Sequence, residues 1–459
     1  MAIRKRLIAA AGILAAIGAM AYVAAVSRAV PGTTAGNGLL HRPTLTLWYT
    51  DEKLEDYLAS VALDYQNSRG VQVIPVLKSG LEYLEEVNRA SLEAENAPDI
   101  YIVSNDSLEK ANLSGLAAEV KDQDSVLTTD FFPQTALDAV SYQGQKMAYP
   151  LYFETSALIY NKTYLEQAAQ ELGTDVASLI PQTIEGIQEF ADVYNAPETV
   201  ESVFRWDVSD FFYNYFFAGN YINVGGSCGD DASRIDIYNL EAVEGLTAYQ
   251  DLSQFFSIDA ETSSYEQVVQ DFLSGKLVFT IATTDILERA KAAKADGSFA
   301  WEYGVAPLPD IDESVCTRGI SVTNAVAVNG YSKKRDKADA FASWLATEGA
   351  AKLYDRTGHV PALQGAASQN AEMAAFWQEY SSTVPMPKLM STANFWIQME
   401  AACTKIWKGE NVSDVLKSLS EKIMTQVTGA EYMEAEYMEA EYIELPEETE
   451  SGFEDGAMD

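Results

Sequence analysis

The sequence predicts an α/β protein whose chain forms two lobes connected by crossing segments. Strand and helix patterns alternate over residues 44–108, which is typical of a mainly parallel sheet covered by helices. Extended runs held by proline occur at 148–160, 305–309 and 359–361, and we interpret them as three crossings between the lobes. Each lobe would then be assembled from separated segments of the chain.

Polar residues follow the first strands, at the place where a ligand is expected. Strand patterns cover residues 44–49 (TLTLWY), 71–77 (VQVIPVL) and 98–104 (PDIYIVS), and amphipathic helices are predicted at 54–68 and 81–90. Ligands of such sheets bind beyond the carboxyl ends of the strands. The candidate binding residues at these ends are Asp51, Glu52, Lys53, Asn105 and Asp106.

The first crossing, residues 148–162 (AYPLYFETSALIYNK), carries a carboxylate inside an apolar strand. Pro150 fixes an extended backbone at its start. Glu154 is expected to face a ligand, because a strand that crosses a cleft is a sensible place for a carboxylate between apolar segments. Tyr152 and Phe153 precede it, and since neighbours on a strand alternate sides, one faces the cleft and the other packs. Tyr152 is the candidate for the cleft.

The second part of the chain adds an aromatic stretch and further strands. Residues 206–217 (WDVSDFFYNYFF) hold too many aromatic side chains for all to contact a ligand, and Trp206 and Phe212 are the candidates. A strand at 275–281 (GKLVFTI) precedes Asp285, a candidate at the start of the next helix. The patterns also predict a strand and four helices, at 320–328 and at 333–354, 376–380, 394–407 and 412–427.

The two ends of the chain differ from its globular part. Residues 4–6 are basic, 7–26 are uncharged and apolar, and 27–29 have the small-x-small form that a signal peptidase cuts. Export is expected, as a cleaved signal peptide or an uncleaved membrane anchor. Residues 30–43 form a linker. Residues 429–459 repeat the unit EYMEA and are expected to be an acidic, disordered tail.

Composition excludes several functions. A formal net charge of −37 argues against nucleic-acid binding, which needs clustered Lys and Arg. The two histidines and three cysteines have no metal-ligand spacing, so no metal site is expected, and the thiols are expected to be free. A phosphate-binding glycine loop is also missing, and we expect no cofactor.

Six pieces of the chain, in this order, resemble the extracellular solute-binding proteins of ABC importers, in the branch typified by maltose-binding protein. The pieces are LTLWYTDEK, APDIYIVSND, MAYPLYFETSALIYNK, DFLSGKLVFTIATTD, YGVAPLP, and NFWIQMEAACTKI with the following VSDVLKSLSEKI. The resemblance implies a type II periplasmic-binding-protein-like fold, with two α/β lobes that close on a ligand by a hinge motion. The lobes would comprise residues 44–152 plus 311–358 and residues 153–310 plus 359–428.

The resemblance also implies roles for single residues. Glu52 and Lys53 match the polar pair that bonds sugar hydroxyls, and Asp106 matches the Asp after the third strand. Glu154 matches the acidic residue of the first crossing, and Trp396 matches the Trp that stacks on a sugar ring.

The chain departs from the family pattern at three places. Val103 and Asp285 stand where maltose-binding protein has Trp, so two stacking platforms are missing and the resemblance does not extend to maltodextrin as the ligand. The lipid-modified Cys that many relatives carry near residue 20 is absent. Surface tethering would therefore depend on residues 7–26.

We expect a monomeric, extracytoplasmic binding protein, not an enzyme, that captures a carbohydrate and delivers it to an ABC permease. Its membrane association would come only from the N-terminal segment. A binding protein for a cationic solute such as a polyamine is the alternative, because aromatic rings and carboxylates also hold cations. A glycoside hydrolase with Glu52 and Glu154 as its two carboxylates is a third hypothesis.

Overall fold

The computed structural model describes residues 43–93, 96–261 and 263–435. The predicted targeting segment, the linker before Pro43 and the acidic repeats after residue 435 lie outside the described residues. Within the described part, no helix is sufficiently long and apolar to span a bilayer.

Strands and helices alternate from the start of the described chain, as the sequence predicts. The strands are β1 (Thr44–Tyr49), β2 (Gln72–Leu77), β3 (Ile100–Ser104), β4 (Ser141–Tyr142), β5 (Gln145–Lys146), β6 (Ala148–Asn161), β7 (Ser202–Phe204), β8 (Asn223–Val224), β9 (Ile235–Asp236), β10 (Leu277–Thr283), β11 (Tyr303–Ala306), β12 (Ile320–Val328), β13 (Val360–Pro361) and β14 (Val384–Pro385).

The α-helices are α1 (Glu55–Arg69), α2 (Tyr83–Glu93), α3 (Leu108–Leu113), α4 (Gln134–Ala139), α5 (Lys162–Leu172), α6 (Ile184–Val193), α7 (Leu240–Phe255), α8 (Tyr265–Leu273), α9 (Ile286–Asp296), α10 (Arg335–Ala346), α11 (Leu353–Thr357), α12 (Gln364–Ala367), α13 (Ala371–Ser382), α14 (Phe395–Trp407) and α15 (Val412–Thr428).

The long strand β6 connects two halves of the main sheet, whose strand order is β2-β1-β3-β12-β6-β10-β7. Residues 148–155 of β6 pair antiparallel with β12, which in turn pairs with β3, and β1 lies parallel to β2 and β3. We call this half the N-lobe sheet. Residues 156–161 of β6 pair antiparallel with β10 and β11, and β7 lies parallel to β10. We call that half the C-lobe sheet.

The three segments interpreted as crossings meet at β6. Strand β11, in the second segment, pairs with Ile159 of β6 through Val305. Strand β13, in the third segment, pairs with Phe153 through Val360. Phe153 points away from the cleft and stacks on Tyr380 of α13, with ring centroids 4.0 Å apart at 2°. The sequence predicts that one of Tyr152 and Phe153 packs inside the protein, and the structure shows that Phe153 is this residue.

Helix α1 buries the face that its periodicity predicts. Tyr57, Leu58, Val61 and Tyr65 are at most 4% exposed in the N-lobe core. The helix ends where Gly70 adopts the left-handed conformation (φ 72°) and donates its N–H to the Gln66 carbonyl at 3.0 Å. A glycine adopts this conformation without the penalty that a Cβ would impose.

The prediction of a single helix over residues 333–354 is wrong. Helix α10 ends at Ala346, a 3₁₀ turn spans Gly349–Lys352, and α11 follows. Thr347 leaves the helical region at φ −114° and ψ −87°, and its hydroxyl donates to the Ser343 carbonyl at 2.7 Å. Such a local side-chain bond offers the backbone an alternative to the helix, so the chain turns here.

Candidate ligand-binding site

The carboxyl ends of β1 and β3 open onto a cavity of about 480 Å³. Both strands are parallel neighbours, so the segments that follow them emerge at the same edge of the N-lobe sheet. The middle of β6 and β12 forms the floor of this edge. The cavity lining includes Asp51, Ser104, Tyr152 and Asn324.

Asp51 is fixed by a short polar network at the end of β1. One carboxylate oxygen caps the following 3₁₀ turn by accepting the Lys53 backbone N–H at 2.9 Å. The other oxygen lies 2.6 Å from Nε2 of His359, whose ring stacks on Tyr152 at 4.2 Å and 17°. Partial burial alone would raise the pKa of Asp51, but the bonds from His359 and Lys53 outweigh it and the pKa falls below its usual value.

Glu154 faces the cleft. It lies on the same side of β6 as Tyr152, because the two residues are two positions apart on the strand. Its side chain is exposed to the cleft, and within the described residues its carboxylate has no hydrogen bond or ion pair with a protein group. Desolvation raises its pKa first of all, and the charges of Asp285 and Asp51 add to this against the opposing effect of His359. An acceptor without a protein partner is therefore held beside two other carboxylates.

Lys53 and Glu52 lie at the rim of the site. The Lys53 ammonium forms an ion pair with Glu288 of α9 at 2.9 Å, and both side chains are about half exposed. Since Lys53 follows β1 and Glu288 follows β10, this pair connects the two sheet halves. Glu52 is exposed in the first turn after Asp51.

Asp285 is held by neighbours on the C-lobe side. Its carboxylate accepts Nε of Arg289 at 2.7 Å and the hydroxyl of Thr283 at 2.6 Å, and it also accepts the Tyr265 hydroxyl. Tyr265 in turn stacks on Tyr213 at 4.7 Å. Asp285 therefore orders the start of α9, while its charge still acts on Glu154.

Asn105 and Asp106, at the end of β3, have different surroundings. Asn105 is 0% exposed; its amide donates to the Met386 carbonyl at 2.6 Å and its oxygen accepts the Thr323 N–H at 2.8 Å. Because Asn105 is used within the protein, it is not available to a ligand in this conformation. Asp106 is exposed and accepts the hydroxyls of Ser104 and Ser107.

The aromatic candidates also separate into core and surface. Trp206 is 0% exposed, stacks on Phe204 at 4.6 Å and donates its indole N–H to Asn214 at 2.8 Å. This placement corrects the expectation that it contacts a ligand. Phe212 is half-buried beside the first crossing, since its carbonyl accepts the Ser156 hydroxyl at 3.3 Å.

Trp396 is half-buried on the C-lobe side, next to Phe211 at 5.0 Å between ring centroids. The edge-on packing of Phe395 at 4.9 Å fixes its ring from behind. A ring held by its neighbours while part of it stays accessible can offer a flat face to a ligand.

Sequence reasoning missed His359, Asn324 and Ser104 as site residues. His359 lies in a segment that the sequence did indicate as a crossing, but nothing local pairs it with Asp51, 308 residues away. Asn324 lies inside the apolar strand β12 beside Tyr152, where an isolated amide is a usable signal.

No group of three or more potential metal ligands occurs among residues 43–93, 96–261 and 263–435. Cys228, Cys316 and Cys403 are free thiols, as the sequence predicts.

The fold and the cleft between its sheet halves are those of a two-lobe binding protein. The family described as bacterial extracellular solute-binding protein matches residues 55–352, and the chain belongs to this family. The family resemblance predicted from the sequence pieces is thereby confirmed.

Named relatives agree with this family. The chain is 23% identical to the maltodextrin-binding protein MdxE of Bacillus subtilis (strain 168), over 81% of this chain and 88% of that protein. It is also 23% identical to the maltotriose-binding protein of Pyrococcus abyssi, over 75% of this chain and 74% of the relative.

Solved structures share the fold. An extracellular solute-binding protein from Staphylococcus aureus in complex with maltose superimposes with a TM-score of 0.72 at 21% identity, covering 84% of this chain and 98% of that one. The maltose-binding periplasmic protein MalE from Listeria monocytogenes gives a TM-score of 0.70 at 22% identity, covering 86% and 100%. The predicted two-lobe α/β fold is confirmed.

Proposed function

We propose that this chain captures a carbohydrate, most simply an oligosaccharide, in the cleft and delivers it to the membrane permease of an ABC importer. The observation that carries the proposal is the exposed carboxylate of Glu154, which has no partner among the described residues and lies beside the ordered group of Asp51, Tyr152 and His359. Relatives named for maltodextrin and maltotriose support the carbohydrate class.

The chemistry of a sugar fits this arrangement. A sugar ring has a rim of hydroxyl donors, which carboxylates accept strongly, and apolar C–H faces, which aromatic rings cover. Glu154 and Asp51 would accept hydroxyls, while Trp396 and Phe212 would cover a ring face. The proposed contact residues are Asp51, Glu52, Lys53, Asp106, Tyr152, Glu154, Phe212, Asp285 and Trp396.

Capture would work by closure and without chemistry on the ligand. The proposed lobes are residues 44–152 plus 311–358 and residues 153–310 plus 359–428, joined at the crossings. A ligand that contacts both lobes only in the closed state shifts the population toward that state. The Lys53–Glu288 pair at the rim would be formed in the closed arrangement.

We also propose that the protein works outside the cytoplasm as a monomer, exported by its N-terminal segment. The basic residues 4–6 and the apolar run at 7–26 support export, and an uncleaved run would tether the protein to the membrane. The family of extracellular solute-binding proteins agrees with this location.

A second candidate ligand is a cationic solute such as a polyamine. The observation that favours it is the position of Glu154, whose pKa is raised first by burial and then by the nearby charges of Asp285 and Asp51. An ammonium group placed there would be attracted by all three carboxylates.

Thermal unfolding against a panel of oligosaccharides, monosaccharides and polyamines tests the proposal. A ligand that binds only the folded state at 100 times its dissociation constant adds about 2.7 kcal/mol of stability. We expect a shift with one class of oligosaccharide, lost in Glu154→Ala and in Trp396→Ala. Phe255→Ala is the matched control, because Phe255 is 66% exposed and outside the proposed site.

Other outcomes would change the assignment. A shift only with polyamines, abolished by high salt, would transfer the function to the cationic class. Release of nitrophenol from aryl glycosides, abolished by Glu154→Gln, would contradict a binding function without catalysis. Absence of a shift with every compound would refute the carbohydrate proposal.

A further inference from the structure

A second cavity, of about 330 Å³, lies in the N-lobe and shares no lining residue with the cleft cavity. Tyr65 and Arg69 of α1 form one wall, and Trp344 of α10 with the following Glu348 forms another. The loop between α3 and α4 closes it with Asp124 and Phe131. Three separate parts of the chain therefore converge on a concave site that is distinct from the cleft cavity.

Aromatic rings provide the apolar surface of this outer cavity. Phe131 is 37% exposed, which is unusual for a phenylalanine, and Trp344 is half-buried. Tyr65 packs 5.1 Å from Trp344 and meets Phe341 edge-on at 4.8 Å, so the rings are fixed from behind. The aromatic surface is preformed and part of it stays accessible.

A polar rim surrounds the hydroxyl of Tyr65. The Tyr65 side chain is only 4% exposed, and its hydroxyl has no hydrogen-bond partner among the described residues. Burial raises the pKa of this phenol, with Arg69 opposing and Asp124 and Glu348 adding to the effect, so these three charged groups all lie close to it. Arg69 and Glu348 pair at 3.2 Å. This hydroxyl is therefore free to donate to a ligand or to accept from it, and the buried indole N–H of Trp344 in another wall of the cavity also lacks a hydrogen-bond partner within the described residues.

The loop that carries Asp124 and Phe131 is held in place by Asp122. This residue adopts a positive φ of 41°, and its carboxylate accepts the N–H groups of Val126 at 2.8 Å and Leu127 at 3.1 Å. Its own N–H donates to the Tyr149 hydroxyl at 3.1 Å. The loop wall is therefore built in advance of any ligand.

We propose that the outer cavity is a second carbohydrate site, which binds a single neutral pyranose unit. Aromatic faces ringed by hydroxyl, guanidinium and carboxylate groups match the C–H faces and hydroxyl rim of a sugar. One cation against two carboxylates disfavours an anionic ligand. The volume lies at the low end for ligand pockets, which fits one ring better than an oligosaccharide. The pyranose is a free sugar or the terminal unit of a surface polysaccharide.

The indole N–H resonances in ¹H–¹⁵N NMR spectra of the intact protein test this proposal directly. The chain has seven tryptophans, so Trp344 reports on the outer cavity and Trp396 on the cleft, each assigned by a Trp→Phe variant. The probes are the methyl glycosides of glucose, galactose and N-acetylglucosamine. We expect at least one of them to shift the Trp344 resonance with a saturable midpoint in the range of about 1–10 mM.

Two variants separate binding from folding. Tyr65→Phe keeps the ring and removes only the hydroxyl, and Phe131→Ala removes an exposed ring; each should raise the Trp344 midpoint about tenfold. Neither should move the midpoint of Trp396 with a ligand of the cleft. Phe255→Ala is the control, because it removes an exposed phenylalanine ring outside the outer cavity.

The results at Trp344 test the outer cavity independently of ligand binding in the cleft. A Trp344 resonance that stays fixed up to about 50 mM of every glycoside, or shifts equally in Tyr65→Phe and Phe131→Ala, overturns the proposal. A shift with indole but with no sugar also overturns it. With Glu154→Ala and Trp396→Ala in the background, retention on insoluble chitin, cellulose or amylose identifies a polysaccharide end, while binding of the methyl glycoside alone identifies a free sugar.

Discussion

The cleft carboxylates and the aromatic stretch at residues 206–217 both contain side chains typical of sugar sites, but the protein uses them differently. Asp51 lines the cavity and is ordered by His359, and Glu154 is exposed on β6 without a protein partner among the described residues. Trp206 is enclosed in the C-lobe core with its indole N–H bonded to Asn214.

Physical chemistry explains the difference. An indole gains free energy when its large apolar surface is buried, provided that its single donor finds an acceptor. A carboxylate loses free energy on burial unless it is paired. Carboxylates at the ends of strands are therefore better indicators of a site than a high local density of aromatic residues.

Replacement of Trp206 by alanine tests whether this residue is part of the core, and it gives the largest expected effect. We expect Trp206→Ala to lower the free energy of unfolding by about 3–5 kcal/mol, because it leaves a large cavity and removes the donor to the side-chain oxygen of Asn214. Trp396→Ala should cost less than half as much and act mainly on affinity. Urea unfolding and ligand titration of both variants measure this, and equal losses of stability would contradict the distinction between core and cleft.

Glu379 of α13 sharpens the comparison, because it is a carboxylate inside the core. It is 4% exposed, accepts the Leu308 N–H at 3.0 Å and has no ion pair among the described residues. Burial, with the charge of Asp310, raises its pKa to about 7. A raised pKa means that the folded state binds the proton more tightly than the unfolded chain, so stability falls as the pH rises from about 5 to 8.

Glu379→Gln should therefore stabilise the protein by about 1–3 kcal/mol at pH 8 and have little effect at pH 5. Denaturant unfolding at the two pH values measures the difference. Glu198→Gln, at an exposed position, is the control and should change stability little at either pH. A Glu379→Gln variant that is destabilised equally at pH 5 and pH 8 would show that hydrogen-bond geometry, not charge, dominates at this position.

Local patterns predicted most of the fold. The alternation of Leu45, Leu47 and Tyr49 in β1 and the proline-held strand β6 around Glu154 depend on neighbours in sequence, so their side-chain periods are visible directly. The break between α10 and α11 was missed because the backward bond of the Thr347 hydroxyl competes with an otherwise continuous helical pattern.

The site was only partly predictable, for a different reason. The placement of Asp51 and Tyr152 at the cavity, and the exposure of Glu154 on the same side of β6 as Tyr152, follow from strand ends and alternation. The burial of Trp206 and Asn105, and the pairing of Asp51 with His359, depend on contacts between residues far apart in the chain. No local periodicity encodes such contacts, and only the assembled sheet brings them together.

The pair of Asp51 and His359 gives the smallest expected effect and tests the cleft side of the comparison. Its bond joins the end of β1 to the third crossing, and a double-mutant cycle of Asp51→Asn and His359→Gln should yield a coupling energy of about 1 kcal/mol at pH 7. The pKa of Asp51 is lowered in the folded state, so its stabilising contribution is complete above the usual value of 3.8 and is lost as the pH falls further. Urea unfolding at pH 7 and pH 3 measures both quantities, with Glu52→Gln, one residue away and exposed, as the matched control. Additive single effects at pH 7 would mean that His359 stabilises the cleft only through its stacking on Tyr152.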